Sequence, residues 1–278
     1  MPVKSVLSII GVNHSDNDVR MAIDICSQVS AHLSVLVVAM APPPPANEYG
    51  AVLSDTWMRE RDRDSMRLKL RVEQVEALVA KADLSADVDS EYTEIAWADE
   101  TIGQRARYAD LTILGPELLD DGAFKLRAVN GGLFESGRPL LIAPSDSKPT
   151  LTPKVVLLAW DSRIEAARAA REAIDLMAAA DSVHVTLIDP QATHTGNGPE
   201  PGADIAAYLA RHCCKVTVDR LPSSGYTVAE ALRQHAVDIS ADLVVMGAYG
   251  HSRLRERIFG GVTKSMIDEA ALPILMAR

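Results

Sequence analysis

The sequence predicts an α/β protein built as two consecutive copies of a doubly wound parallel sheet, each of five strands with helices on both faces. Two observations carry this prediction. Apolar strands alternate with helices along the chain, and that alternation specifies a parallel sheet. Segments of the first half also recur in the second, in the same order and at matching spacing. Tyr108-Ala109-Asp110-Leu111-Thr112-Ile113-Leu114-Gly115 returns as Ser240-Ala241-Asp242-Leu243-Val244-Val245-Met246-Gly247, each a helix end, a polar turn and a buried strand. Arg138-Pro139-Leu140-Leu141-Ile142-Ala143-Pro144 returns as Leu272-Pro273-Ile274-Leu275-Met276-Ala277-Arg278, a proline-led final strand. Ala22-Ile23-Asp24 matches Ala173-Ile174-Asp175 in the first helix of each copy.

The elements follow in order. The N-terminal apolar run ends in polar Asn13, His14, Ser15 and Asp16 without a small-residue cleavage site, so it reads as a first strand and not a signal peptide. Ala41-Pro42-Pro43-Pro44-Pro45-Ala46 leaves the second strand as a stiff loop; no paired basic residue flanks it as a proline-ligand motif would require. Residues 57–81 form a long, charged helix. The polar, proline-bearing stretch from Ser145 to Pro153 is a linker, which divides the chain into domains at 1–147 and 153–278. In the second copy, strands are expected at 154–160, 182–188 and 213–218, and helices at 164–179, 203–212 and 227–239. The Leu243 strand, a glycine-rich loop, a helix through Val262 and the last strand complete it.

Composition narrows the function. A formal net charge of −10, most of it in the first half, argues against nucleic acid or an anionic membrane surface as partner. No apolar run has the length of a membrane span. Three cysteines, Cys26 and the adjacent Cys213 and Cys214, make no spaced disulfide framework, which fits a reducing cytoplasm. His212 beside that pair lacks the second set of spaced ligands that a zinc site needs, so no metal is expected on protein side chains.

The chemistry concentrates between Leu243 and Ile267. An apolar strand there ends in Gly247, and its C-terminal end faces the usual binding crevice of such a sheet. Gly247 and Gly250 supply backbone that can take positive φ and approach a ligand closely. Gly260 and Gly261 open a segment of helical periodicity, and unpaired N–H groups at a helix start suit an anion. A P-loop is excluded, because Lys264 follows Thr263 instead of a second glycine. A dinucleotide fingerprint is absent after the first strand, at Gly11-Val12-Asn13-His14.

Gly247-x2-Gly250-x9-Gly260, followed by Gly261-Val262-Thr263, resembles the ATP-binding signature of the universal stress protein family. Asp161, at the end of the half's first strand, extends the match, and the repeat extends it over the chain as a tandem two-domain member. The resemblance implies two Rossmann-like domains of the adenine nucleotide alpha hydrolase-like kind. It places Asp161 at the adenine, with Leu187 contacting the base through its backbone. Gly247 and Gly250 then line the ribose and phosphates, while Gly260, Gly261, Val262 and Thr263 hold the phosphates. ATP, alone or with Mg²⁺, is the implied cofactor. Many ATP-binding members carry Ser where Gly261 stands, so one hydroxyl donor is lost here and phosphate binding is expected to be weaker. His251, Arg253, Arg255 and Arg257 either offset phosphate charge or form a solvated basic face.

The first half departs further. Leu118 stands at the second glycine, Pro116 removes an N–H, and Asn13 lies near the adenine-aspartate position. Gly131 and Gly132 remain ahead of a short helix expected at 133–136, as an anion dock or as a packing turn, and no ATP is expected there. No catalytic constellation is readable; Glu256 and Asp268 are as easily surface charges. The leading expectation is an ATP-binding regulator of stress physiology using the second domain, with an unidentified protein partner. A nucleotide-independent scaffold and a slow ATP hydrolase stand as alternatives. Because family members pair through their last strands, the two halves are expected to form an intramolecular pseudo-dimer, with further homodimerisation open.

Overall fold

The computed structural model describes residues 3–47, 50–51, 54–145, 147–192, 198–248 and 261–278. They fall into two compact units, Val3–Arg138 and Pro139–Arg278. The first unit runs β1 (Ser5–Gly11), α1 (Asn17–Val29), β2 (His32–Ala41), the two-residue β3 (Ala46–Asn47) and β4 (Gly50–Ala51), then α2 (Asp55–Val79) and β5 (Ala86–Glu94). After a 3₁₀ turn at Ile95–Trp97 come α3 (Ala98–Ala106), β6 (Leu111–Leu114), α4 (Pro116–Asp120) and α5 (Gly122–Val129), which passes into a π-helical turn at Asn130–Glu135. Its main sheet has the order β6-β1-β2-β5 with every pair parallel.

Burial follows the sheet. Val6, Ile9, Ile10, Leu33, Val35, Leu36 and Val37 of β1 and β2 are fully enclosed, as strands covered on both faces must be. The polar strand β5 alternates in exposure along its first half, in keeping with its place at the end of the order. Helix α2 buries only Leu68, Arg71, Val75 and Val79, one stripe at helical spacing, with Arg71 paired to Asp16 at 2.8 Å and most of its other charges in water.

The second unit runs β7 (Leu140–Ile142), β8 (Val155–Ala159), α6 (Ile164–Glu172), α7 (Ile174–Ala179), β9 (Ser182–Ile188), α8 (Ala203–Arg211) and β10 (Val216–Leu221). It continues with α9 (Val228–Asp238), β11 (Leu243–Gly247), α10 (Gly261–Asp268) and β12 (Ile274–Ala277). Strand order is β10-β9-β8-β11-β12-β7, parallel throughout except for the last pair. The helix expected at 164–179 is in two pieces, interrupted at Ala173. The strand expected at 213–218 begins only at Val216. Cys213 takes φ +66° and the Cys214 N–H bonds to the Leu209 carbonyl, so the cysteine pair closes the end of α8 and does not start a strand.

The repeated aspartate has a structural task in both copies. Asp110 Oδ2 accepts from the N–H groups of Lys4 and Ser5, at 2.9 and 3.1 Å, where β1 begins beside β6. Asp242 Oδ2 accepts from Lys154 and Val155, at 2.8 and 2.9 Å, where β8 begins beside β11. Each carboxylate satisfies two strand-start donors before the ladder does. Asp242→Ala leaves those donors to water, and urea unfolding is expected to show the second unit weakened by about 1–2 kcal/mol.

The two proline-led strands pair with each other. Ile142, Leu141 and Leu140 of β7 lie antiparallel to Ile274, Leu275 and Met276 of β12, and all six are buried. Pro139 and Pro273 each precede the paired residues, so neither removes a ladder donor.

Candidate functional site

In the second unit the strand order reverses between β8 and β11, the first strand of the copy and its fourth, and crevices at such a switch point hold ligands in open α/β sheets. A cavity of about 540 Å³ opens at the C-terminal ends of β8, β9 and β11, within the usual range for small-molecule sites. Six of the nine residues expected at the nucleotide line it: Asp161, Leu187, Gly247, Gly261, Val262 and Thr263. Gly250, His251 and Gly260 lie outside the described residues, as do Arg253, Arg255, Glu256 and Arg257.

Asp161 follows β8, and its carboxylate is more than half exposed. It accepts from the Arg163 N–H at 3.0 Å across Ser162, which holds φ +63°, and its other oxygen lies 3.7 Å from Arg163 Nε. Leu187 is 1% exposed at the end of β9, so it offers the cavity chiefly a wall and its backbone. Thr263, 2% exposed, sits in the first turn of α10.

The two described glycines of the motif differ in kind. A Cβ on Gly247 would stand 2.5 Å from the Ala166 nitrogen and 2.5 Å from the Glu165 carbonyl carbon. Gly247 is therefore required by the approach of β11 to the start of α6, and its φ is not positive. Of the two properties expected of this glycine, freedom to take positive φ is not the one used. At Gly261, by contrast, a Cβ meets no described atom within 4 Å.

The sequence reading missed the residues contributed by α6 and α9. Val228 and Leu232, at i and i+4 on α9, add an apolar wall, and Trp160 and Met246 add more beside them. Helix α9 is fixed at its start by a capping box: the Glu230 N–H bonds to the Thr227 hydroxyl, and Glu230 Oε2 accepts from the Thr227 N–H at 2.7 Å. That Thr-x-x-Glu signature, with an apolar i, i+4 pair immediately after the cap, was the available signal. Glu165 and Asp189 also reach the cavity. Asp189 accepts from Ser223, and these bonds hold its carboxyl below the ordinary value. Among the described lining residues the ionisable groups are thus three carboxylates and Arg163.

The first unit treats the corresponding place differently. Asp18, fully buried on α1, accepts from the N–H groups of Glu117 and Leu118 at 3.2 and 3.1 Å, at the start of α4. A Cβ on Gly115 would fall 2.3 Å from the Asp18 carboxyl carbon. Burial pushes the Asp18 carboxyl up, against the lowering effect of the two backbone bonds. The helix-start donors in this half already hold the chain's own carboxyl group. Gly131 and Gly132 do not precede a helix; they lie inside the π-helical turn that continues α5. A Cβ on Gly131 would stand 2.6 Å from the Asp99 carbonyl oxygen, so this glycine is there for close packing on α3.

A family model described as the Universal stress protein family matches residues 153–278. Residues 153–278 thus carry a universal stress protein domain. Shorter stretches agree. The chain is 37% identical over 49 residues to Universal stress protein Slr1230 of Synechocystis, and 36% identical over 50 residues to Stress response protein NhaX of Bacillus subtilis. Each match takes in 18% of this chain, and they span 17% and 30% of those relatives' lengths. The fold is similar over nearly the whole chain to a universal stress protein from Archaeoglobus fulgidus, with TM-score 0.69, 17% identity, and coverage of 98% of this chain and 96% of that one. A universal stress protein structure from Pseudomonas aeruginosa gives TM-score 0.56 at 13% identity, covering 99% and 93%. The universal stress protein domain thus holds the cavity, and among the described residues no helix is long and apolar enough to cross a membrane. Cys26, Cys213 and Cys214 are free thiols; burial pushes that of Cys26 up to about 12, which leaves it unreactive.

Proposed function

We propose that the second domain binds ATP, alone or with Mg²⁺, and that the protein acts as a nucleotide-dependent regulator in stress physiology with little or no catalysis. The observation that supports this is the gathering of Asp161, Leu187, Gly247, Gly261, Val262 and Thr263 around one cavity at the switch point of the sheet. The walls suit the parts of the ligand. Apolar Leu187, Val228, Leu232 and Met246 accommodate a flat base, and the Asp161 carboxylate is an acceptor for an amino or hydroxyl group. The start of α10, the positive end of its dipole and the turn that carries Thr263, is the anion end.

Mg²⁺ would travel on the phosphates, since it keeps most of its own waters and needs few protein ligands. In the first unit Asp18 occupies the helix-start donors, which supports one nucleotide per chain. Millimolar ATP is expected to raise the melting temperature of the purified protein, because ligand that binds only the folded state stabilises it by mass action. An unchanged melting temperature sinks the reading, and steady ADP release dependent on the cavity residues would favour a hydrolase.

A further inference from the structure

Away from the cavity, three side chains of the second unit converge between its sheet and α9. His184 lies on β9, Asp219 on β10 and His235 on α9. In the parallel register Thr217 partners His184 and Asp219 partners Thr186, so His184 and Asp219 are diagonal neighbours on one face of the sheet. Helix α9 brings His235 onto the same carboxylate. Asp219 Oδ2 lies 2.8 Å from His184 Nδ1 and 2.9 Å from His235 Nε2. The three side chains are 20%, 18% and 15% exposed, sheltered yet reachable from solvent.

We propose that His184, Asp219 and His235 form a binding site for a divalent first-row transition ion of the zinc type, which fastens α9 to β9 and β10. One ligand atom from each residue lies within 4.8 Å of the others. Ligands about 2.0–2.2 Å from a tetrahedral zinc stand roughly 3.3–3.5 Å from one another. The two nitrogen-to-oxygen spacings therefore need to open by about half an ångström to admit the ion, while the nitrogen-to-nitrogen spacing, within 4.8 Å, settles to the same value. Two imidazole nitrogens and one carboxylate oxygen suit zinc, cobalt or nickel and not the all-oxygen preference of magnesium or calcium. Three protein ligands leave a fourth position for water.

On binding, a neutral ring moves its proton to its outer nitrogen, and a protonated ring releases one proton to solvent. Asp219 follows Cys214 by five residues, yet the site does not draw on His212-Cys213-Cys214. Those residues close α8, with Cys213 exposed and Cys214 buried, and they share no ligand cluster with these three among the described residues. Because α9 also carries Val228 and Leu232, an ion at His235 braces the wall of the cavity from the far end of the same helix.

The test uses the full chain, stripped of metal and free of any affinity tag, equilibrated with Zn²⁺ and separately with Co²⁺. We expect one ion per chain, a Zn²⁺-dependent rise in melting temperature, and a Co²⁺ spectrum of nitrogen and oxygen ligands without thiolate bands. His235→Gln and Asp219→Asn are each expected to weaken binding by at least the roughly 10–100-fold that loss of an outer partner produces. Cys213→Ser is expected to leave it unchanged. Absence of stoichiometric binding by the unaltered chain overturns the proposal, and so does binding that survives both ligand variants or disappears with Cys213→Ser. Should His235→Gln fail to fold by circular dichroism, the unaltered chain, Asp219→Asn and Cys213→Ser still decide.

Discussion

Gly261→Asp is expected to abolish stabilisation by ATP while leaving the ligand-free protein at least as stable as before. No described atom lies within 4 Å of where a side-chain carbon would stand, so the new carboxylate displaces none of the described residues. A negative charge in the first turn of α10 favours the helix itself, by about 0.3–1 kcal/mol. The same charge faces the end of the cavity where phosphates would lie, and repulsion between like charges in a sheltered site is strong. At a hundredfold excess of nucleotide over Kd the unaltered chain should gain about 2.7 kcal/mol, and the variant nothing. Gly261→Ser should act in the opposite direction, since a hydroxyl displaces none of the described residues and adds a donor. Calorimetric melting with and without ATP checks both; equal shifts in all three proteins would remove Gly261 from the binding site.

Gly247→Val is expected to damage the fold itself. The added carbon would stand 2.5 Å from main-chain atoms of Glu165 and Ala166, and main chain at the start of α6 cannot turn aside as a side chain can. Either α6 lifts from the sheet or β11 loses its last pairing, Gly247 with Ala277. Overpacking of this kind usually removes about 1–3 kcal/mol, and with backbone on both sides we expect about 3 kcal/mol or more in urea unfolding, together with loss of the nucleotide effect. A variant that melts within about a degree of the parent would show that the contact relaxes easily.

The contrast between these two glycines shows what the sequence could and could not convey. Their spacing, the strand before them and the helix after them were readable, because periodicity and turn chemistry are local. The reason for Gly247 was not, since its neighbours Glu165 and Ala166 lie some eighty residues away and meet it only through the sheet order. Val228 and Leu232 were missed for the same reason, although the capping box before them was on view. The strand expected at the cysteine pair failed for a local cause: Cys213 adopts a left-handed conformation that propensity does not assign to cysteine. The duplicated aspartates are the opposite case. Visible as a repeat, they prove to anchor corresponding strand starts by the same pair of bonds.

The antiparallel partnership of β7 with β12 also determines how this protein should be divided for study. A fragment starting at Pro139 retains Leu140, Leu141 and Ile142 against Met276, Leu275 and Ile274. One starting at the family-matched boundary, residue 153, strips that cover from a short, wholly apolar strand and leaves a row of backbone donors and acceptors open. Such a margin invites annealing to another copy, so self-association in the shorter fragment would report on where the chain was cut and not on a native assembly.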